Sequence, residues 1–302
     1  MKIKRRNFLQ NAGIIATGAL LMPPLACKSP DTSKEVKSTK PAKPAPSLSK
    51  FGIQLYTLRD VIQDNPKETL TTLSSYGFNQ IEGYEGDLGL SWGMTTDEFK
   101  KFTSDIGLNM ISSHCNINEN FEQKAAQAAE MGLEYLICPY LGPQASKDKW
   151  KEVTEKLNAC GDICKKNGIK FAYHNHAYSF KAFSGMIPHD YMMDNTDPAL
   201  VDFQMDIYWV VTGGADPIEY LQKYPNRFRL CHVKDRLKTA AADDTNASCN
   251  LGTGQIDFPK ILKVAQENGM KHYIMEQENY PDGSPIKRGK GGAAYMKNLV
   301  FA

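Results

Sequence analysis

From Phe51 onward, short apolar runs alternate with longer stretches in which apolar residues recur at helical spacing. The runs are rich in β-branched and aromatic residues, which is typical of buried strands, whereas a repeat of three to four residues is typical of an amphipathic helix. This alternation predicts eight strand–helix pairs. The predicted strands are FGIQLYTL, NQIEGYE, NMISSHCN, EYLICPYL, IKFAYHNH, LVDFQMD, FRLCHVKD and KHYIMEQE.

The order of these segments predicts the fold class. Strands that alternate with helices pair in parallel through right-handed crossovers. Eight such units in about 250 residues have the size of a (β/α)₈ TIM barrel, so we predict an α/β fold with this barrel over residues 51–302. An open doubly wound sheet is the alternative, but no Gly-x-Gly-x-x-Gly turn follows any predicted strand.

The first fifty residues have the features of an export signal and a tether. Arg5 and Arg6 precede Asn-Phe-Leu and an apolar stretch, which resembles a twin-arginine signal. Leu-Ala-Cys ending at Cys27 resembles a lipoprotein cleavage box. We therefore expect a signal over residues 1–27, lipidation of Cys27, a disordered tether over residues 28–50, and a membrane-anchored periplasmic protein. The alternative is an ordinary cleaved signal with an incidental cysteine.

Composition narrows the choice of partners. The chain has 302 residues and a formal net charge of +2, so it offers no electrostatic reason to expect nucleic acid. Its seven cysteines are irregularly spaced and do not form a disulfide framework. We expect a small-molecule partner and membrane contact only through the N-terminal lipid.

Candidate metal ligands follow the last four predicted strands. A barrel places its active site at the carboxyl ends of the strands, and these ends carry His174, Asp206, His232 and Glu276. Burying two carboxylates and two imidazoles together is costly unless they pair or bind a cation. Two oxygen donors and two imidazoles suit Mn²⁺, Zn²⁺, Co²⁺ or Fe²⁺ better than Ca²⁺. His176 shares a strand face with His174, so either could be the ligand.

The segments DFQMDIYWVVTGG, LCHVKD and YIMEQE, in this order, resemble the xylose-isomerase-like sugar phosphate isomerase/epimerase superfamily over about residues 51–300. The resemblance implies one divalent ion, Mn²⁺ before Zn²⁺, Co²⁺, Fe²⁺ or Mg²⁺, held by Glu, Asp, His and Glu. Asp206, His232 and Glu276 match this set, whereas His174 stands where epimerases usually carry glutamate. Barrels of this family often dimerise, so a homodimer is possible.

The resemblance implies a sugar isomerase or epimerase that removes a proton next to a carbonyl. Glu276 is the expected base, His176 or His114 would return the proton, and Lys234 would hold a substrate oxygen. The remaining residues expected to bind substrate are Gln54, Tyr56, Glu82 and Trp209.

Three alternatives stay open. A sugar dehydratase or a keto-glycoside lyase would use the same ligands, because the steps differ only in where the proton and the leaving oxygen go. A sugar-binding lipoprotein without catalysis is the third. Apurinic endonucleases share the barrel, but the near-neutral charge and the export signal argue against a duplex-binding surface.

Overall fold

The computed structural model describes residues 47–280 and 283–301, and in this part of the chain eight parallel strands close into a barrel. In barrel order β1 pairs with both β2 and the last strand, which closes the sheet. The predicted (β/α)₈ TIM barrel is confirmed. Its strands are β1 (Gly52–Gln54), β2 (Gln80–Tyr84), β3 (Asn109–His114), β4 (Tyr135–Cys138), β5 (Lys170–His174), β6 (Val201–Asp206), β7 (Phe228–Val233) and β10 (His272–Met275).

Helices cover the outside of the barrel. Capping residues define several helix ends. Thr95 and Glu98 form a capping box at the start of α2, and Gly77 ends α1 with a φ of 95°. The helices are α1 (Pro66–Tyr76), α2 (Thr96–Asp105), α3 (Phe121–Met131), α4 (Lys147–Lys166), α5 (Pro188–Asn195), α6 (Ile207–Thr212), α7 (Pro217–Lys223), α8 (Phe258–Glu267) and α9 (Pro285–Asn298).

The barrel interior has an apolar layer beneath a polar one. Ala172, Leu230 and Ile274 belong to a buried apolar cluster. Each lies two residues before a candidate ligand, so strand alternation places the ligands on the same inward face. The apolar layer therefore fills the barrel below the candidate site and keeps it dry.

Two predicted strands are shorter than their apolar runs. β1 ends at Gln54 because Leu55–Leu58 form a 3₁₀ turn, in which the Gln54 side chain accepts a hydrogen bond from the Tyr56 N–H. β5 ends at His174, so His176 lies beyond the sheet.

A short hairpin separates β7 from β10. Its strands β8 (Asp235–Arg236) and β9 (Ser248–Cys249) pair in antiparallel fashion. The carboxylate of Asp235 accepts hydrogen bonds from the backbone N–H groups of Gly252 and Gly254, both at 2.9 Å, and so fixes the loop that returns to the barrel.

The described residues begin within the predicted tether. The N–H of Ser47 donates to the carbonyl of Leu299, and its hydroxyl accepts from the N–H of Phe301, so chain contacts with the barrel start before Phe51. The predicted signal and its lipidation site, Cys27, lie outside the described residues. Within the described ranges, none of the helices combines the length and the apolar content that crossing a bilayer would require.

Candidate metal centre and adjoining cavity

Four neighbouring strands bring the four candidate ligands together. β5, β6, β7 and β10 are consecutive around the barrel, and each ends within one residue of its candidate ligand: His174, Asp206, His232 and Glu276. All four side chains are buried, and one ligand atom from each lies within 4.8 Å of the others. This group could hold a metal ion.

The contact between His174 and Asp206 points to a missing cation. The ring Nδ1 of His174 donates to the carbonyl of Pro139 at 3.2 Å, so in the neutral ring Nε2 keeps a lone pair. Nε2 lies 3.4 Å from Oδ2 of Asp206, so the lone pair is close to a carboxylate oxygen. Neither atom has a hydrogen-bond partner among the described residues, although both are buried. Two buried acceptors at this distance need a positive charge between them.

The backbone around Asp206 leaves only one of its oxygens free for such a cation. Oδ1 accepts from the N–H of Trp209 at 3.0 Å and so caps α6. The side chain of Asn175 bonds both the N–H and the carbonyl of Asp206, at 3.0 and 3.1 Å. The carboxylate is therefore held in one orientation with Oδ2 facing the other donors.

His232 is oriented by a carboxylate on the opposite side of the barrel. Its Nε2 lies 2.6 Å from Oε1 of Glu82, which fixes the ring hydrogen on that nitrogen. Nδ1 faces Oε2 of Glu276 at 3.1 Å and Oδ2 of Asp206 at 3.5 Å, so it would offer a lone pair to an ion held among these atoms. Without an ion, burial lowers the pKa of His232, but Glu276 and Glu82 outweigh it and hold the pKa well above its usual range. Partners of this kind, which hold a ligand histidine through its second nitrogen, are a regular feature of metal sites.

Glu82 lies beneath the ligands, away from the cavity. Both of its oxygens accept hydrogen bonds from buried side chains, namely Gln54, Ser112, Gln204 and the two imidazoles of His114 and His232. Burial alone would raise the pKa of Glu82, but His114 and His232 outweigh it and hold the pKa well below its usual range. Glu82 is thus an ionised anchor.

These contacts place two residues that we expected to bind substrate. Gln54 and Glu82 are both 0% exposed, and neither lines the cavity. Gln54 donates to Glu82 at 2.8 Å instead of facing solvent. Both side chains face the barrel interior as predicted, but Glu82 contacts His232 and Gln54 contacts Glu82, so both are engaged inside the barrel.

Glu82, His114 and His232 form a second group with the spacing of a metal site. Its carboxylate already accepts from three neutral donors, Gln54, Ser112 and Gln204. The first group has acceptors without partners, so it is the better candidate for an ion.

Lys234 supplies the only ammonium in contact with the ligand carboxylates among the described residues. It is 0% exposed, and its Nζ lies 2.8 Å from Glu278, 3.2 Å from Glu276 and 3.9 Å from Asp206. Burial would raise the pKa of Glu276, but Lys234 and His232 outweigh it and lower the pKa. Three carboxylates therefore converge on this one ammonium.

A cavity of about 570 Å³ opens beside this centre. His114, His174, His176 and Glu278 line its inner end, and Tyr56 lines the outer end. Lys234 and Trp209 are not among the lining residues; they lie behind the wall, with the ammonium 5.0 Å from the indole ring. Trp209, which we expected to contact the sugar, lies 5.1 Å from the ring of His176 and backs it.

The structure gives different positions to the two candidate histidines, His174 at the end of β5 and His176 beyond it. His174 joins the ligand group, whereas His176 stands in the cavity wall with its ring parallel to that of Tyr178. Burial, followed by the nearby His174, holds the pKa of His176 well below its usual range, and its Nδ1 has no hydrogen-bond partner among the described residues.

Sequence reasoning missed two members of the polar layer. Ser112 and Gln204 hold Glu82 at 2.7 Å each, and Gln204 also contacts His114 at 2.8 Å. Ser112 lies two residues before His114, and Gln204 lies two residues before Asp206. Strand alternation therefore places both on the same inward face as these candidate residues and could have identified them.

Comparisons with known proteins agree with this architecture. Residues 70–299 match the family described as the xylose isomerase-like TIM barrel. An inosose dehydratase of Clostridium perfringens is 30% identical over 166 residues, which cover 50% of this chain and 55% of the relative. The chain thus spans about half the length of that relative. An inosose dehydratase of Geobacillus kaustophilus is 25% identical over 279 residues, covering 84% of this chain and 85% of the relative.

Solved structures of other proteins share this barrel fold. A sugar phosphate isomerase/epimerase from Parabacteroides distasonis is 30% identical, with a TM-score of 0.72, and the match covers 88% of this chain and 98% of that one. The IolI protein, solved with a zinc atom, has a TM-score of 0.68 at 15% identity over 82% of this chain and 98% of its own, and this likeness concerns the fold. The resemblance found in the sequence is confirmed.

Proposed function

The chain belongs to the xylose isomerase-like TIM barrel family, and from this membership we propose that it is a divalent-metal-dependent enzyme acting on a sugar-like ketone. It removes the proton next to the carbonyl and eliminates an oxygen from the following carbon. We favour this elimination over the isomerisation or epimerisation that we expected from the sequence. Relatives named inosose dehydratase support this order.

The observation that carries the proposal is the set of four buried donors beside a cavity whose wall contains two further imidazoles outside that set, those of His114 and His176. In the epimerases that the chain resembles, two glutamates exchange protons on opposite faces of the substrate. Here His174 replaces one of them. An elimination needs only one group that takes a proton from carbon and passes it to oxygen.

His174, Asp206, His232 and Glu276 would hold the ion, with Mn²⁺ or Zn²⁺ fitting their two nitrogens and two oxygens. When bound, the ion supplies Lewis-acid stabilisation of the negative charge that develops on a carbonyl oxygen. Lys234 holds Glu276 ionised at 3.2 Å. A carboxylate paired in this way is a better ligand than proton acceptor, so another group must take the proton.

His114 is the better proton acceptor. Its Nε2 lies 2.8 Å from Oε1 of Gln204 and 3.2 Å from Oε1 of Glu82, so it carries the hydrogen of the neutral ring. Nδ1 then has the free lone pair, and Glu82 stabilises the imidazolium that forms, as in other carboxylate–histidine pairs. His176 offers a hydrogen bond to a substrate hydroxyl from the same wall.

The atoms balance without an external reactant. The α-carbon loses its proton to Nδ1 of His114, and the electron pair of that bond forms the new double bond. The bond between the β-carbon and its oxygen breaks, and the leaving oxygen takes the proton from His114. The products are an unsaturated ketone and water, or an alcohol where the leaving oxygen is glycosidic.

The test uses the purified protein loaded with Mn²⁺ or Zn²⁺ and an inosose as substrate, in D₂O. We expect absorbance of the conjugated ketone to appear, and His114→Ala to lower kcat by at least about 100-fold, the usual weight of a general acid–base group. His272→Ala, at the other end of the barrel, is the matched control.

Other outcomes identify the alternatives. Deuterium incorporation without loss of oxygen would assign an isomerase or epimerase. Binding without exchange across a panel of inososes and keto-glycosides would leave a sugar-binding protein. Full activity in His114→Ala together with none in Glu276→Gln would return the role of base to Glu276.

A further inference from the structure

The cavity has two chemically different ends. The metal ligands come from β5, β6, β7 and β10, which form one half of the barrel. The cavity extends beyond them to loops that follow β1 to β4, where it is lined by Tyr56, Tyr84, Asn116, Asn118 and Tyr140. The proposed reaction uses the metal ligands with His114 and His176 beside them, so the outer end calls for its own explanation.

Aromatic rings are exposed at this outer end. Among the described residues, the exposed large hydrophobic side chains are Tyr140 at 57%, Leu237 at 42% and Tyr56 at 40%. Two of these three line the same cavity. Exposed apolar side chains that cluster at a cavity are typical of a ligand-binding site, whereas single exposed apolar side chains elsewhere are common.

Both tyrosines are held in place. The ring of Tyr140 meets the rings of His176 and Tyr178 edge-on, with centroids 5.1 and 5.3 Å apart. Tyr56 meets Tyr84 edge-on at 5.3 Å, and the guanidinium of Arg59 lies 4.7 Å from its centroid. Because Tyr56 follows β1 and Tyr140 follows β4, three strands apart in a barrel of eight, they stand on different sides of the opening.

Polar groups lie between the two tyrosines on a braced loop. Lys156 donates to the side-chain oxygen of Asn118 at 2.5 Å, and Lys124 lies 2.7 Å from Glu85. Glu85 in turn accepts from the N–H of Asn116 at 2.8 Å. The side-chain oxygen of Asn116 accepts from the N–H of Asn118 at 2.9 Å. Both side-chain amides and this carboxylate therefore keep fixed positions, as groups that select hydroxyls must.

We propose that the outer end is a subsite for a second ring, so that the substrate is a two-ring keto-glycoside. This rests on the proposed function, because the ring with the carbonyl lies at the metal end and the glycosidic oxygen is the leaving group. The apolar face of the second ring contacts Tyr140 and Tyr56, and its hydroxyls bond to Asn116 and Asn118. The cavity, at about 570 Å³, is in the range of about 300–1,000 Å³ that holds drug-sized ligands.

The first test measures binding alone, which keeps it independent of turnover. Cellobiose and methyl β-glucoside are titrated calorimetrically into the metal-loaded protein. We expect cellobiose to bind at least about tenfold more tightly, which corresponds to about 1.4 kcal/mol. Tyr140→Ala and Tyr56→Ala should each remove most of this preference, whereas Tyr140→Phe keeps it. Leu237→Ala, the exposed apolar residue outside the cavity, is the control that leaves it unchanged.

The second test compares kcat/KM for the 3-keto derivatives of the same two sugars. The subsite predicts a higher kcat/KM for the two-ring ketone and a selective loss of that advantage in Tyr140→Ala. Equal binding of the two sugars, or equal losses on both substrates, would overturn the subsite while leaving the metal reaction intact. Retained preference for cellobiose without any turnover would instead reject the proposed reaction and keep the subsite.

Discussion

Nε2 of His174 lies 3.4 Å from Oδ2 of Asp206, and both atoms are buried acceptors without a hydrogen-bond partner among the described residues. Burial lowers the pKa of His174, so protonation of the ring is not the way in which the structure relieves this contact. A divalent cation between the two atoms would relieve it and would also reach His232 and Glu276.

We therefore expect one divalent ion per chain, and a loss of thermal stability on chelation. At a free metal concentration of 100 times Kd, binding stabilises the folded state by about 2.7 kcal/mol, which calorimetric melting with and without chelator would detect. His174→Ala should abolish the metal-dependent shift. His272→Ala should keep it, because His272 contacts Glu134 at the other end of the barrel. An unchanged metal affinity in His174→Ala would remove His174 from the ligand set.

Glu82 fixes the tautomer of a ligand histidine through a contact of 2.6 Å with Nε2 of His232. In Glu82→Gln the amide can present its N–H₂ to that nitrogen, which moves the ring hydrogen to Nδ1 and blocks the lone pair. We expect metal affinity to fall by about 10- to 100-fold, measured by competition with a chromogenic chelator. Ser112→Ala, which leaves the carboxylate in place, should have a smaller effect; equal effects would mean that only packing matters.

The ligand group could be predicted from sequence because it depends on two local rules. Strand alternation decides which residues face the barrel interior, and parallel closure places all strand ends at one rim. Both rules hold for His174 and Asp206, which end β5 and β6, and for His232, which lies one residue before the end of β7. The choice between His174 and His176 needed the structure, because it depends on where β5 stops.

The role of Glu82 could not be predicted in the same way. Its decisive partner, His232, is 150 residues away in the chain and reaches it across the barrel. The early end of β1 has a local cause that hydrophobic patterning does not detect. Gln54 bonds the N–H of Tyr56 with its own side chain and so favours a turn within an apolar run.

Lys234 is the buried counter-charge of the site, 2.8 Å from Glu278 and 3.2 Å from Glu276. Lys234→Met leaves these carboxylates uncompensated. We expect the free energy of unfolding of metal-free protein to fall by about 3–5 kcal/mol, measured by urea titration, and the loss to shrink when metal is saturating. Lys101→Met removes an exposed pair with Asp105 of the same 2.8 Å length, and should cost less than about 1 kcal/mol. Similar losses in both variants would contradict this account.

His189 is a buried titratable group remote from the metal ligands in the chain. It is 0% exposed, and its ring packs against Phe180, with centroids 4.5 Å apart, and lies nearly parallel to that of Phe228. Burial lowers the pKa of His189 to about 3; the adjacent Asp190 opposes this shift and Lys223 adds to it. The folded protein therefore keeps this imidazole neutral.

This difference predicts acid sensitivity with a definite sign. Unfolding restores the usual pKa of 6.5, so between about pH 3 and 6.5 the unfolded chain binds the extra proton. The stabilisation is complete above pH 6.5 and declines as the pH falls toward 3. Between pH 7 and 5 the contribution of His189 should fall by about 2 kcal/mol. His189→Phe, which keeps a flat ring, should lose this part of the pH dependence in urea titrations at the two pH values. An unchanged difference would show that His189 is not the residue responsible.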